Sequence, residues 1–320
     1  LKLIKKFFRD NPIHKKIVPF LDYIFLMRPT YYFNVWISFL SGLYIMQFSS
    51  LDSNIWGVKL AYNTLLLIIG ISIYCSGIFI CWQLATEGNY KLQNKLTLFD
   101  NKISLDIGIK IKNTCLILGF LIVGYSNIYL TPFFILSYFL LAMEIKISSI
   151  KSNFWRLLIL SFFLLLAGLV HNFSIHGLFD IKSFTFNLIP FLLIQICVIT
   201  IIDNNYKNLN FNKYTGKNLI VLFLLFLSLL IGLFNQDPVS STASITIIPF
   251  IIMIVVRNTE IDQLRAVRYS TLIMSVFIYT TYYQLIGPSI IIYYISKYFY
   301  WHRFDFHYPK LVLENDRNYT

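Results

Sequence analysis

Leu60-Ala-Tyr-Asn-Thr-Leu-Leu-Leu-Ile-Ile-Gly-Ile-Ser-Ile-Tyr-Cys-Ser-Gly-Ile-Phe-Ile-Cys-Trp82 contains no charged side chain from its first residue to its last. A helix needs about 20 predominantly apolar residues to cross the hydrocarbon core of a bilayer. Only helices and closed barrels satisfy their backbone groups there, and barrel strands are short and alternating. This run is neither short nor alternating, so it reads as a membrane-spanning helix. Eight more runs read the same way: Pro29–Phe48, Thr114–Tyr125, Ile128–Ile147, Trp155–Val170, Asn187–Ile202, Asn218–Phe234, Ala243–Val256 and Thr271–Ile295. The third and fourth spans of the resulting nine are divided only by Tyr125-Ser126-Asn127, which predicts a tight hairpin. Gly287-Pro288 is placed to kink or end the ninth. The expected fold is all-α, a polytopic transmembrane bundle of about nine spans. A basic segment 1–28 precedes the bundle at 29–295, and a tail 296–320 follows it.

The composition agrees. Of 320 residues, 57% are hydrophobic and only 13% charged, with a mean hydropathy of +0.65. A soluble domain carries about 25% charged residues to face water. Soluble, disordered and secreted disulfide-framework classes are therefore excluded. Cys75, Cys81, Cys115 and Cys197 lie in or at the ends of spans without paired metal spacing, so they read as small packing residues.

Lys and Arg total 27 against 15 Asp and Glu, a net charge of +12. In a soluble chain that would suggest a nucleic-acid partner. Here the cations sort by topology, because Lys and Arg collect in short cytoplasmic loops. Residues 1–28 and the loops after the second, fourth, sixth and eighth spans hold 21 of the 27. Lys59, Lys182, Lys297, Arg303, Lys310 and Arg317 fall on the other side. The expectation is an integral membrane protein of a bacterial inner membrane, with a cytoplasmic N-terminus and no nucleic-acid partner. The basic, amphipathic start lacks a small-residue cleavage site, so no cleavable signal is expected.

Two cytoplasmic segments carry polar residues to the membrane edge. Cys81-Trp82-Gln83-Leu84-Ala85-Thr86-Glu87-Gly88-Asn89-Tyr90 continues to Lys91, Asn94 and Lys95 after the second span. Asp203-Asn204-Asn205-Tyr206 continues to Asn212-Lys213-Tyr214-Thr215-Gly216-Lys217 after the sixth. With Arg28-Pro29 before the first span and Gly42 within it, the whole arrangement resembles the UbiA superfamily of intramembrane prenyltransferases. The resemblance implies nine helices and two Asp-rich motifs, after helices two and six. It also implies the chemistry: an allylic prenyl diphosphate ionises, Mg²⁺ neutralises the leaving diphosphate, and an acceptor captures the carbocation. Mg²⁺ needs hard oxygen ligands, which carboxylates one helical turn apart supply.

The first motif runs roughly Asn-x-x-x-Asp-x-x-x-Asp, sometimes as Asn-Gln-x-x-Asp, and matching Gln83 to that Gln puts Trp82 at the Asn and Thr86 and Tyr90 at the two Asp positions. Glu87 is the nearest acid, and one residue turns it about 100° around a helix. Asp203 matches the first Asp of the second motif. Thr215-Gly216-Lys217 resembles that motif's end, which places Asn212 at the second Asp after an insertion; without the insertion Lys207 takes that position. One motif carboxylate therefore survives.

The expectation is a UbiA-like protein without metal-dependent transfer and with no cofactor, acting as a lipid- or isoprenoid-binding element or as a subunit of a membrane complex. The expected lipid-binding residues are Trp82, Thr86, Glu87, Tyr90, Lys95, Asp203, Asn212 and Lys217. The alternative is an active prenyltransferase with an altered diphosphate site, where Asp203 and Glu87 would hold Mg²⁺ and lysines would contact phosphate. Plainer roles stand beside these: Asp203 and Glu87 as helix-end acids, the lysines as headgroup cations, and Trp82 and Tyr90 as interfacial aromatics. Glu144 beside Lys146 reads as a snorkelling acid. His171 and His176, in an expected outer loop, read as a metal pair only with partners they lack. Arg257, Glu260, Asp262, Arg265 and Arg268 suit helix-surface ion pairs. The tail from Trp301 reads as interfacial or as a docking surface.

Overall fold

The computed structural model describes residues 12–50, 56–87, 103–147, 153–176, 181–206, 215–257 and 259–304. Among the described residues there are eleven α-helices and no strand. They are α1 (Pro12–Leu26), α2 (Tyr32–Ser50), α3 (Tyr62–Glu87), α4 (Leu105–Ser126), α5 (Thr131–Ile147) and α6 (Asn153–His176). After these come α7 (Ile181–Tyr206), α8 (Thr215–Phe234), α9 (Pro238–Arg257), α10 (Glu260–Thr281) and α11 (Ile286–Phe304). Stretches of α3, α4, α6 and α9 are long and apolar enough to cross a membrane, and α5, α7 and α8 contain shorter apolar stretches. The fold is an all-helical membrane bundle.

α2 is its centre. Gly42 of α2 meets Gly168 of α6 with no side chain between the two backbones. A Cβ on Gly42 would strike the Leu165 carbonyl oxygen, and one on Gly168 would strike that of Phe39. Between lipid-bathed helices apolar burial supplies little drive, so such close backbone approach substitutes for it. α3 lies antiparallel along α2. Tyr31 meets Phe79 edge to face at 5.1 Å, Tyr32 Oη shares a hydrogen bond of 2.7 Å with Ser76 Oγ, and Trp36 Nε1 donates to Ser72 Oγ at 2.7 Å. α7 is antiparallel too, with Gln195 Nε2 donating to Ser38 Oγ at 3.2 Å and Phe191 beside Tyr44 at 5.7 Å. The carboxyl ends of α3 and α7 therefore lie at the end of the bundle where α2 begins.

Local sequence explains several element boundaries. Pro190 sits inside α7 and cannot donate to the carbonyl of Phe186, one turn earlier. Asn235, beyond α8, donates its Nδ2 to that oxygen at 2.9 Å. The eighth apolar run begins earlier than its apolarity suggests: Asp237 Oδ1 accepts from Val239 N at 3.0 Å, and Pro238 starts α9. Asp-Pro is a helix start written in capping chemistry rather than hydrophobicity.

The ninth apolar run, Thr271–Ile295, is two helices. α10 stops at Thr281, a 3-10 turn covers Tyr283–Leu285, and α11 starts at Ile286. In a continuous helix the Pro288 ring would meet the Gln284 carbonyl; in the first turn of α11 it costs nothing. The fully buried Tyr282 pins the break by donating its hydroxyl to Gln47 Oε1 at 2.7 Å. α11 then returns to the opposite end, where Phe299 stacks on Phe25 of α1 at 4.0 Å. The helix also runs past Ile295 to Phe304.

This extra crossing corrects the charge map. α11 closes at the end of the bundle where α1 packs, so Lys297 and Arg303 in its last turns stand on the side of α1 rather than opposite it.

Two outcomes test this packing. Gly42→Leu will lower the midpoint of thermal unfolding in detergent, as overpacking costs about 1–3 kcal/mol. Gly287→Ala, which points into open space, will leave it unchanged. Asn235→Ala will destabilise by about 1 kcal/mol, and restoring the backbone donor with Pro190→Ala will remove most of that loss in the double variant.

Candidate functional site

The end of the bundle where α2 begins holds most of the residues singled out by sequence. Trp82 is buried in the last turns of α3, its ring 5.6 Å from Phe79. Its indole Nε1 is buried without a hydrogen-bond acceptor. Phe79 leads to Tyr31 at 5.1 Å, and Arg28 lies over the Tyr31 ring at 5.3 Å while its Nη1 donates to Tyr31 Oη at 2.5 Å. An unbroken row of rings thus links the start of α2 to the end of α3. Arg28 itself has φ 51 and ψ 60, a left-handed conformation unusual for a side-chain-bearing residue. Its Pro neighbour already disfavours the right-handed helical region, so the dipeptide Arg28-Pro29 marks the turn. The strain was not legible from residue type alone.

Thr86 and Glu87 fall in the final turn of α3, Asp203 near the end of α7 and Lys217 in the first turn of α8; only their backbone positions are described. Tyr90, Lys95 and Asn212 lie outside the described residues. The structure thus brings Trp82, Thr86, Glu87 and Asp203 to one end of the bundle. It gives no side-chain geometry for the acids. Among the described residues, no three His, Cys, Asp or Glu side chains gather to hold a metal ion.

Between these helix ends and the far side, buried polar groups interrupt the apolar interior. α10 contributes Gln263, Ser270, Thr271, Ser275 and Tyr279, all buried, and Arg268, whose Nε is buried on the stripe shared by Thr271, Ser275 and Tyr279. Tyr279 lies 6.4 Å from Trp36, whose indole is held by Ser72. Ser270 Oγ, Thr271 Oγ1 and Gln195 Oε1 are buried without hydrogen bonds. Hydroxyls and indoles in this number can orient a neutral polar group or a single phosphate oxygen. A void of about 10 Å³ between α3, α5 and α6, lined by Tyr74, Phe134, Ser137 and Leu164, has room for about one water and belongs to packing.

Three other candidates acquire structural roles. His171 lies within α6 rather than in an outer loop, and it is buried. Tyr129 N donates to Asn127 Oδ1 at 3.0 Å, which fixes the amide so that Nδ2 donates to His171 Nδ1 at 2.9 Å. The ring proton is then on Nε2, donated to Thr64 Oγ1 at 3.0 Å. With both ring nitrogens engaged, the imidazole ties α3, α4 and α6 together and has no lone pair for a metal. The His176 side chain lies outside the described residues. Asp262 and Arg265 do pair, at 3.5 Å, as part of an N-terminal cap on α10 in which Asp262 N donates to Thr259 Oγ1 at 3.2 Å.

Sequence reading passed over Asp237, the buried acid of the far end. Tyr44 Oη donates to its Oδ1 at 2.7 Å, joining α2 to the α8–α9 turn. Burial pushes its carboxyl above the ordinary 3.8, against the hydrogen bonds that hold it down. The signal that could have found it is the Asp-Pro start of α9.

The chain was compared with known proteins at three levels. No protein-family model matches the sequence, and no curated protein matches it either. Among solved structures, one described under digeranylgeranylglyceryl phosphate synthase in membranes superposes with a TM-score of 0.55. The match covers 82% of this chain and 97% of the solved one, at 14% identity. The fold is thus UbiA-like, in line with the expected all-helical membrane bundle, and the likeness extends to the fold alone.

Asp237 yields a pH prediction. Because its folded pKa is raised, the folded state holds its proton to higher pH than the unfolded chain does. Stability is then fullest below 3.8 and falls as pH rises through the folded value. Asp237→Asn keeps an acceptor for Tyr44 and will flatten this part of the unfolding-midpoint profile in detergent.

Proposed function

We propose that this UbiA-like membrane protein does not carry out metal-dependent prenyl transfer and instead holds a lipid or isoprenoid within its helices, alone or as a subunit of a membrane complex. The observation that carries this reading is the donor set: Thr86, Tyr90 and Asn212 stand where the resemblance calls for carboxylates, leaving Asp203 as the one motif acid. Ionisation of a prenyl diphosphate builds several negative charges on the leaving group, and one carboxylate cannot anchor the divalent cations that would offset them. The polar face of α10, with Arg268 as its cation, supports a ligand with a polar head. It offers neutral hydrogen-bonding groups beside aromatic faces, which suits an isoprenoid chain with a small polar head. Trp82, with its ring in the aromatic row and its indole N–H unmatched, is the described residue best placed to touch such a ligand.

The solved digeranylgeranylglyceryl phosphate synthase supports an architecture able to house isoprenoid chains. It does not carry its activity across at 14% identity. An active transferase using Asp203, Glu87 and neighbouring lysines is the competing reading, and the same experiment separates the two. Purified protein will be incubated with an allylic prenyl diphosphate, Mg²⁺ and candidate aromatic and glycerol-phosphate acceptors. No transfer above a boiled control is expected, while lipid extraction of natively purified protein will return a bound isoprenoid or phospholipid. Mg²⁺-dependent product that disappears in Asp203→Ala would overturn the proposal. Trp82→Ala is expected to reduce the retained lipid severalfold without loss of the folded protein.

A further inference from the structure

α1 has two apolar faces, and the bundle uses only one. Leu21 and Phe25 are buried, with Phe299 stacked on Phe25 at 4.0 Å and Tyr300 set edge-on at 5.7 Å. The opposite arc carries Ile17, Phe20 and Ile24, three and four residues apart and so on one stripe of the helix. All three are exposed, Phe20 at 65%. Tyr23 and Lys16 flank that stripe and are exposed as well. The sequence up to and including the first turn of α1 adds Lys2, Lys5, Lys6, Arg9 and Lys15, with Asp10 as the sole acid. A left-handed Arg28 and the 3-10 turn Pro29–Tyr31 lead from α1 directly into the start of α2. α1 is therefore tied to the level at which a span leaves the bilayer.

We infer that α1 is a membrane-surface helix that binds the anionic headgroups of the leaflet at the N-terminal end, with Ile17, Phe20 and Ile24 inserted among the acyl chains. A free apolar stripe on a helix joined to a span can be covered by lipid at no added entropic cost of association. Its basic flank matches an anionic surface, where each Lys or Arg contributes appreciably to attraction. A second protein chain would instead have to desolvate a strongly cationic flank without a visible acidic counterpart. The inner face gives the binding a route into the bundle, because whatever moves α1 moves the Phe25–Phe299 stack and with it α11.

The test uses the full chain in vesicles. Phe20→Cys in a Cys81→Ser background will carry an environment-sensitive fluorophore, in phosphatidylcholine alone and with added phosphatidylglycerol. Lipids brominated close to the headgroup are expected to quench the label more than lipids brominated near the terminal methyl. Absence of quenching at either depth, or stronger quenching from the deep bromines, would overturn the assignment. Absence of quenching together with label-to-label cross-linking would mean a second copy covers the face. In a separate arm, Lys15→Gln and Lys16→Gln will each weaken the preference for phosphatidylglycerol about fivefold, and added salt will weaken it in the wild type. An unchanged preference in the double variant would remove the anionic lipid from the proposal.

Discussion

The contact between Gly42 and Gly168 sets the rest of the bundle. With no side chain at either position, α2 and α6 meet backbone to backbone, and their mutual depth and angle are then no longer free. α2 in turn positions its other neighbours through side chains of defined reach. Ser72 and Ser76 bring α3 in by hydrogen bonds, Gln195 fixes α7, and Trp36 faces Tyr279 of α10. In lipid, where apolar surface gains little by turning inward, these few polar and steric fixtures carry the specificity that a water-driven core would supply elsewhere. A methyl group at one glycine would therefore be felt by helices that never touch it.

The same scaffold decides what chemistry the interior can host. Its buried polar atoms include hydroxyls, amides and indoles along α2, α7 and α10, and two of its buried carboxylates are engaged at helix ends. Asp237 binds Tyr44 and caps α9; Asp262 caps α10 and pairs with Arg265.

Much of this was legible in the sequence, and the failures have physical causes. Long uncharged runs gave the spans because the bilayer imposes one length on all of them. Helix starts were less visible where capping, not hydrophobicity, set them, as at Asp237-Pro238. The division of Thr271–Ile295 was signalled by Gly287-Pro288, yet the break falls several residues earlier. A proline constrains the turn preceding it, and Tyr282 found a partner in Gln47 that no local pattern announces. His171 shows the reverse difficulty. Its residue type suggested a ligand, while its partners, Asn127 and Thr64, come from distant parts of the chain. The motif acids Glu87 and Asp203 were legible as positions along helices, and the structure adds that α3 and α7 deliver them to one end.

The Phe25–Phe299 stack also bears on how the molecule is made. Its two rings come from the first and the last described helices, so during synthesis α1 emerges with nothing to pack against and waits for the entire bundle to be inserted. Its inner face must be shielded in the meantime by lipid or by the insertion machinery, and the clasp closes only when α11 arrives. Closure of the bundle at α1 therefore waits on α11, and a nascent chain truncated before α11 would present an unlatched α1 by which it could be told apart from one that has received it.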